Sequence, residues 1–230
     1  MAADAPPRPI RLSDYRPPDF LIDRVDLDFS LDPKRTIVSA RLAMRRAATA
    51  APDAPLVLNG EEIELVALAV DGAPVAKSRY KVADTALTIT GLADRFTLEI
   101  KTALSPEANT ALSGLYLSNG MFCTQCEAEG FRRITYFLDR PDVLARYRTR
   151  IEADKSRCPV LLSNGNLTGK GELAGGRHFA AWEDPHPKPS YLFALVGGDL
   201  VAAEDAFVTR SGRKVALKVF VQAKNIGKCG

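Results

Sequence analysis

The densest group of reactive side chains lies at residues 123–129, CTQCEAE, where two cysteines, a glutamine and two glutamates are crowded together. Cys123 and Cys126 have the C-x-x-C spacing of a redox pair or of half a tetrahedral zinc site. A structural zinc ion needs two further ligands. The remaining cysteines and histidines are scattered singly along the chain: Cys158, His178, His186 and Cys229. The pattern therefore favours reduced, inert thiols over a structural-zinc module or a redox pair.

Gln125, Glu127 and Glu129 alternate along the same stretch, and in an extended segment their side chains project to one side. Such a row can hold a cationic group, because a carboxylate forms a charge-assisted bond with an ammonium and an amide oxygen accepts a second N–H. The simpler interpretation is a solvated strand face, or ion pairs to Arg132 and Arg133 just downstream. Spacing alone leaves both interpretations open and favours the simpler one.

A patch of mixed charge follows, around the apolar stretch ITYFL. Its members are Arg132, Arg133, Asp139, Arg140 and Asp142. Half-buried arginines usually have carboxylate partners. We therefore predict ion pairs that fix a long loop, with a structural role.

The two histidines offer no evident hydrolytic base. Neither His178 nor His186 lies in an H-E-x-x-H sequence or near a G-x-S-x-G turn. His186 lies between prolines in DPHPKPS, which indicates an extended loop. We assign no catalytic residue and no metal ligand to the chain.

Short strands are expected to position these residues. Apolar and polar residues alternate in runs over 25–31, 38–44, 63–70, 87–90, 96–100 and 147–153. Turn signals such as Asp71-Gly72 and Asn164-Gly165 separate them. Many short strands with regular turns are typical of a β-sandwich or barrel. The best helical candidate, residues 141–147, spans about two turns, so helix is expected to be minor.

The pattern loosens over residues 197–206, and a hairpin follows with Ser211-Gly212 at its turn. This is consistent with a domain boundary near residue 200. The ending KNIGKCG completes no recognisable element, which predicts that the chain is a fragment.

Composition excludes several classes of protein. The chain has 230 residues, 46% of them hydrophobic, and 31 basic against 28 acidic residues. It can bury a full core. The charge is spread rather than clustered, which gives no case for nucleic acid or membrane as a partner. A cytoplasmic protein with reduced thiols is expected, since there is no leader-like start and no apolar run long enough to span a membrane.

Four segments closely resemble the N-terminal part of the bacterial aminopeptidase N family, a family of zinc metallopeptidases of the gluzincin type. The segments are CTQCEAEGFRRITYFLDRPDVLARY, KSRCPVLLSNGN, AAWEDPHPKPSYLFALVGGDL and TRSGRKVAL. The resemblance implies a saddle-like, multi-stranded antiparallel β-sandwich, hence an all-β fold, over residues 1–200. It implies that residues 201–230 are the truncated start of a thermolysin-like catalytic domain. The zinc of the full-length enzyme is expected outside this chain, because neither H-E-x-x-H nor the family's G-x-M-E-N strand occurs here.

The family's Gln-x-Glu element matches Gln125 and Glu127. The resemblance implies that these two residues line the substrate site and hold the free α-amine of a peptide, whereas Glu129 is expected to pair with a nearby arginine. The expected partners are peptide N-termini and the enzyme's own catalytic domain, and the 230-residue chain alone is expected to be inactive. The alternative that stays open is a free-standing β-sandwich module that binds a peptide or protein.

Overall fold

The computed structural model describes residues 11–229, and their regular structure is almost entirely β-strand. The strands are β1 (Phe20–Ser30), β2 (Thr36–Arg46), β3 (Leu56–Asn59), β4 (Glu64–Val70), β5 (Ala73–Pro74), β6 (Tyr80–Ala83), β7 (Ala86–Ile89), β8 (Arg95–Leu104), β9 (Gly114–Ser118), β10 (Met121–Gln125), β11 (Ala145–Asp154), β12 (Val160–Ser163), β13 (Asn166–Glu172), β14 (Arg177–Lys188), β15 (Leu195–Gly198), β16 (Val201–Val208) and β17 (Lys214–Val221). Short 3-10 turns connect some of them: Leu12–Asp14, Lys77–Arg79, Phe131–Arg133, Ala174–Gly176, Ser190–Leu192 and Ala223–Lys228. The predicted all-β fold is confirmed.

The prediction of a short helix over residues 141–147 is wrong. A turn occupies the first part of that segment, and β11 begins at Ala145. From there the buried side chains recur at every second position, Ala145, Tyr147, Thr149 and Ile151. This period of two is that of a strand with one face on the core, and it overrides the local helical signal.

The largest sheet has eight strands in the order β13-β14-β11-β1-β2-β8-β4-β5. All its neighbouring strands are antiparallel except β1 and β11, which run parallel. One face is apolar and the other is polar. In β2, for example, Val38, Ala40 and Leu42 are buried whereas Arg41 is exposed.

Two smaller sheets complete the core. Their strand orders are β12-β15-β10-β9 and β3-β7-β6. Buried residues from the large sheet, such as Leu27 and Leu98, join Leu58 of β3, Phe122 of β10 and Leu195 of β15 in one hydrophobic cluster. The layers therefore pack as a sandwich, and β10 is the strand that leads into the glutamate-rich segment.

Within residues 11–229, strands β16 and β17 pair only with each other, as a hairpin. Large apolar side chains on it are exposed, including Phe207 at 58%, Val208 at 60% and Val219 at 53%. The domain boundary near residue 200 stays a prediction. In residues 11–229 no helix has the length and apolarity needed to cross a bilayer.

Candidate functional site

Residues 125–130, which we call the acidic turn, follow directly from β10. The amide of Gly130 donates to the carbonyl oxygen of Cys126 at 2.8 Å and closes the turn. A Cβ added at Gly130 would lie 2.2 Å from the carbonyl oxygen of Gln125, so glycine is needed for this close approach. The Cys126 side chain is buried and anchors the turn in the core.

The structure brings Gln125 and Glu127 together on the exposed side of the acidic turn. The side-chain amide of Gln125 donates to the backbone carbonyl of Glu127 at 3.3 Å, so its own oxygen stays available as an acceptor. Among residues 11–229, no cationic side chain lies within ion-pair distance of the Glu127 carboxylate. Glu129, by contrast, pairs with Arg132 at 3.2 Å, as expected from the sequence. One amide oxygen and one carboxylate are therefore free to meet a cation.

Two arginines just after the acidic turn are held by carboxylates. Three carboxylates surround Arg132: Asp139 at 3.1 Å, Glu129 at 3.2 Å and Glu61 at 3.7 Å. Arg133 pairs with Glu62 at 2.6 Å and with Glu61 at 3.4 Å. The mixed-charge patch predicted from the sequence is thus ion-paired. The contributions of Glu61 and Glu62 were missed, because no local pattern links them to residues far along the chain.

Asp139 is the most enclosed carboxylate of this group. Its Oδ2 atom accepts hydrogen bonds from the backbone N–H and from Nε of Arg132, both at 3.1 Å. Its Oδ1 atom accepts from the hydroxyl of Ser190 at 2.6 Å. The backbone amide of Asp139 donates to Oδ1 of Asn59 at 3.3 Å. Both oxygens of a buried anion are thereby satisfied, as burial of a charge requires.

An aromatic cluster supports the short 3-10 turn after the acidic turn. The Phe131 ring packs edge-on against Phe137 at 4.7 Å, Phe193 at 5.3 Å and Tyr147 at 6.3 Å between ring centroids. The ammonium of Lys188 lies 3.8 Å from the centroid of the Tyr147 ring. Edge-to-face rings and a buried cation–π contact stabilise one packing arrangement, so the acidic turn rests on a defined base.

The cysteines are free thiols and not a disulfide. Burial, with a smaller contribution from the charge of Asp139, raises the pKa of the Cys126 thiol well above its usual range. Burial also raises the pKa of Cys123, and it raises the pKa of Cys158 to about 11. Protonated thiols are poor nucleophiles and poor metal ligands. Within the described part of the chain no three His, Cys, Asp or Glu side chains converge as metal ligands would, so these residues do not fit a zinc site.

A cavity of about 490 Å³ opens beside the acidic turn, between residues 16–20, the start of β3 and residues 138–140. Glu129, Arg132 and Asp139 line it, but Gln125 and Glu127 do not. The free amide oxygen of Gln125 and the carboxylate of Glu127 therefore lie on an open surface of the described residues and not in this cavity.

Fold and site together define an all-β domain that presents an amide and an unpaired carboxylate on an ion-paired turn. The chain belongs to the Peptidase M1 N-terminal domain family, whose sequence profile matches residues 21–192. The resemblance drawn from the sequence is thereby confirmed.

Among curated relatives, the chain is 57% identical over 215 residues to the aminopeptidase N of Caulobacter vibrioides. It is 53% identical over 216 residues to the aminopeptidase N of Escherichia coli. Each match covers 94% of this chain but only 25% and 24% of those relatives. The chain thus spans about a quarter of the length of the curated relatives it matches.

Solved structures share the fold. An aminopeptidase A of Legionella pneumophila, in complex with aspartic acid, superposes with a TM-score of 0.90 at 37% identity, over 96% of this chain and 26% of that one. An M1 zinc metallopeptidase of Deinococcus radiodurans superposes at 0.74 with 18% identity, over 89% of this chain and 48% of that one. The second likeness shows the shared fold.

Proposed function

We propose that the chain is the N-terminal, substrate-anchoring domain of a zinc-dependent aminopeptidase, and that Gln125 and Glu127 hold the free α-amine of the peptide. The observation that carries this proposal is the unpaired carboxylate of Glu127. The neighbouring Glu129 is neutralised by Arg132 at 3.2 Å, whereas Glu127 is exposed and has no such partner in the described residues. The aminopeptidase activity in this proposal is taken from the names of the curated relatives.

An exopeptidase must distinguish the end of a chain from its middle. A terminal α-ammonium carries a positive charge and several N–H donors, and it can satisfy a carboxylate and an amide oxygen at once. An internal peptide segment has no charge to offer, so it would leave Glu127 desolvated and unpaired. The Gln125 and Glu127 pair therefore favours free N-termini over internal segments of a peptide.

Under this proposal the zinc ion and the hydrolytic residues belong to the remaining part of a longer enzyme. The described residues contribute substrate binding only. The exposed apolar side chains of Phe207, Val208 and Val219 fit a surface that the enzyme's own catalytic domain covers. The same feature disfavours a free-standing peptide-binding or protein-binding module, which would bury its apolar surface by itself. The cytoplasmic location expected from the sequence stays a prediction.

The test uses a hybrid enzyme in which this chain precedes the remaining three quarters of the Caulobacter vibrioides aminopeptidase N. Glu127→Gln should lower kcat/KM for aminoacyl dyes by about 10- to 150-fold, because a charge-assisted contact is lost. Glu183→Gln is the matched control, since Glu183 is an exposed glutamate of β14 that lies 4.0 Å from Arg148. An unchanged kcat/KM for Glu127→Gln would show that this carboxylate does not anchor the amine.

The 230-residue chain is assayed beside the hybrid, with and without added zinc. No hydrolysis is expected from it. Activity in the short chain would mean that it contains a catalytic site, and the anchoring proposal would then be wrong. Light scattering that shows a clean monomer, together with peptide binding by the short chain, would support the free-standing module instead.

A further inference from the structure

We propose that Asp139 is the positioning residue of the acidic turn: acting through Arg132, it fixes the place from which Gln125 and Glu127 meet the substrate. The effect on substrate rests on the proposed function. The effect on the acidic turn does not, because it follows from the contacts within the chain.

Asp139 joins segments that lie far apart in sequence. Its carboxylate binds Arg132 through Oδ2 and Ser190 through Oδ1, and its backbone amide binds Asn59. The carbonyl oxygen of Asp139 also accepts from Nη2 of Arg132 at 3.2 Å. The Asp139 side chain thus ties the segment after the acidic turn to the 3-10 turn Ser190–Leu192, and the Asp139 backbone amide ties it to β3.

The connection from Asp139 to the acidic turn runs through consecutive hydrogen bonds. Asp139 holds the backbone N–H of Arg132 and so fixes the turn Phe131–Arg133. The amide of Arg133 donates to the carbonyl of Gly130 at 3.1 Å, and the amide of Gly130 donates to the carbonyl of Cys126 at 2.8 Å. Cys126 directly precedes Glu127. A shift at Arg132 therefore reaches the backbone that carries the free carboxylate.

Asp139 outweighs the other two carboxylates around Arg132 because of its burial. The side chain of Asp139 is 1% exposed, against 68% for Glu129 and 30% for Glu61. Solvent and salt weaken the pairs made by these more accessible glutamates. The contact with Asp139 lies in a low-dielectric environment, where a charge-assisted bond is strong and its loss is costly.

Asp139→Asn separates this role from simple filling of the core, because asparagine has nearly the same volume. Its side chain is uncharged and replaces one acceptor oxygen with an NH₂ donor, so the charge-assisted bond to Arg132 and the acceptance from both Arg132 and Ser190 are lost. A role in packing alone would leave the acidic turn in place, whereas a positioning role would release it.

The first test is hydrogen exchange of backbone amides in the 230-residue chain. In Asp139→Asn the amides of Gly130 and Arg133 should exchange at least about tenfold faster than in the parent, since local opening becomes easier. The amides of Thr209 and Gly212, both hydrogen-bonded at 2.9 Å in the turn between β16 and β17, report a local opening that leaves the Asp139 contacts intact and should change far less. Equal acceleration at all four amides, or none at Gly130, would overturn the proposal.

Two further variants keep the test decisive if Asp139→Asn fails to fold. Ser190→Ala removes only the bond to Oδ1 and should accelerate exchange at Gly130 by a smaller factor. Asp26→Asn is the matched control, because Asp26 pairs with Arg24 at 2.9 Å in β1 without contacting the acidic turn or its aromatic base. If Asp26→Asn accelerates Gly130 as much as Ser190→Ala does, Asp139 has no special role.

The second test uses the hybrid enzyme and a pair of inhibitors, an amino-acid hydroxamate and the same compound without its α-amine. The ratio of their inhibition constants measures amine recognition. Asp139→Asn should lower this ratio at least about fivefold, because the contact with Glu127 is misplaced. If Glu127→Gln leaves the ratio unchanged, the proposed function fails. If Glu127→Gln lowers the ratio and Asp139→Asn does not, only the positioning role fails.

Discussion

The side chains of Arg46 and Arg132 are both largely shielded from solvent, and they are held in different ways. Arg46, 7% exposed, donates to the backbone carbonyls of Ala51, Ala54 and Leu92 and pairs with Asp94, which is 88% exposed. Arg132, 13% exposed, instead faces a carboxylate that is itself buried. Neutral acceptors suffice to hold ordinary loops beside Arg46. The acidic turn, which presents an unpaired carboxylate, is held by the costlier buried ion pair.

The largest effect should separate these two arginines. Arg132→Met leaves the Asp139 carboxylate buried without its cation and should lower the free energy of unfolding by about 3–5 kcal/mol. Arg46→Met leaves neutral carbonyls and an exposed Asp94, so about 1–3 kcal/mol is expected. Urea unfolding of both variants measures the difference. An equal loss in the two variants would show that the two arginines are held equally strongly.

Alkaline pH should lower the free energy of unfolding through Cys126, which is buried close to Asp139, the partner of Arg132. Burial holds the pKa of Cys126 above its value in the unfolded chain. The contribution of the protonated Cys126 thiol to the free energy of unfolding is therefore complete below about pH 8.5. Above this pH it falls by about 1.4 kcal/mol per pH unit. Cys126→Ala should make the decline between about pH 9 and 11 shallower by this amount.

Urea unfolding across that pH range checks the slope. Cys229→Ala serves as the control for removal of a thiol, because Cys229 is only partly buried. The same slope in Cys126→Ala as in the parent would show that ionisation of Cys126 does not cause the loss of stability at alkaline pH.

A substitution at Gly130 tests how tightly the acidic turn is packed. Gly130→Ala places a Cβ 2.2 Å from the carbonyl oxygen of Gln125, so the backbone must shift. Overpacking of this kind should cost about 1–3 kcal/mol. Gly227→Ala is the matched control, since nothing lies within 4 Å of its added Cβ. Thermal unfolding compares the two variants, and equal melting temperatures would contradict the tight packing of the turn.

The smallest effect is expected at the exposed partner of Arg46. Asp94→Asn removes a charge that is largely in water, so less than about 1 kcal/mol should be lost. The three carbonyl contacts of Arg46 remain. A loss as large as that of Arg46→Met, measured by urea unfolding, would mean that Asp94 and not the carbonyls holds Arg46.

Local patterns in the sequence predicted the strands well. The alternation around Val38–Met44 lies within β2, and the Ser211-Gly212 turn lies between β16 and β17 as expected. The pairing of Glu129 with Arg132 also followed from proximity along the chain. The motif resemblance identified the family, which spacing alone did not.

Contacts between segments that are distant along the chain could not be predicted from the sequence. Neither the bond between Asp139 and Ser190 nor the approach of Glu61 to Arg132 leaves a periodic signal. The parallel pairing of β1 with β11 was likewise unexpected in a chain of hairpin-like turns. Period and turn chemistry report the local conformation of the backbone, whereas these contacts depend on the three-dimensional arrangement of the sheets.

The parallel pairing of β1 with β11 bears on the order in which the molecule forms. β1 can pair with β2 as soon as both strands have been synthesised, but its other edge waits for residues 145–154. When β11 docks, everything from β2 to the acidic turn is enclosed in one long loop, and closing such a loop is slow. The central strand β1 is therefore paired on one edge only during synthesis, and until β11 arrives its free edge is exposed to misassembly.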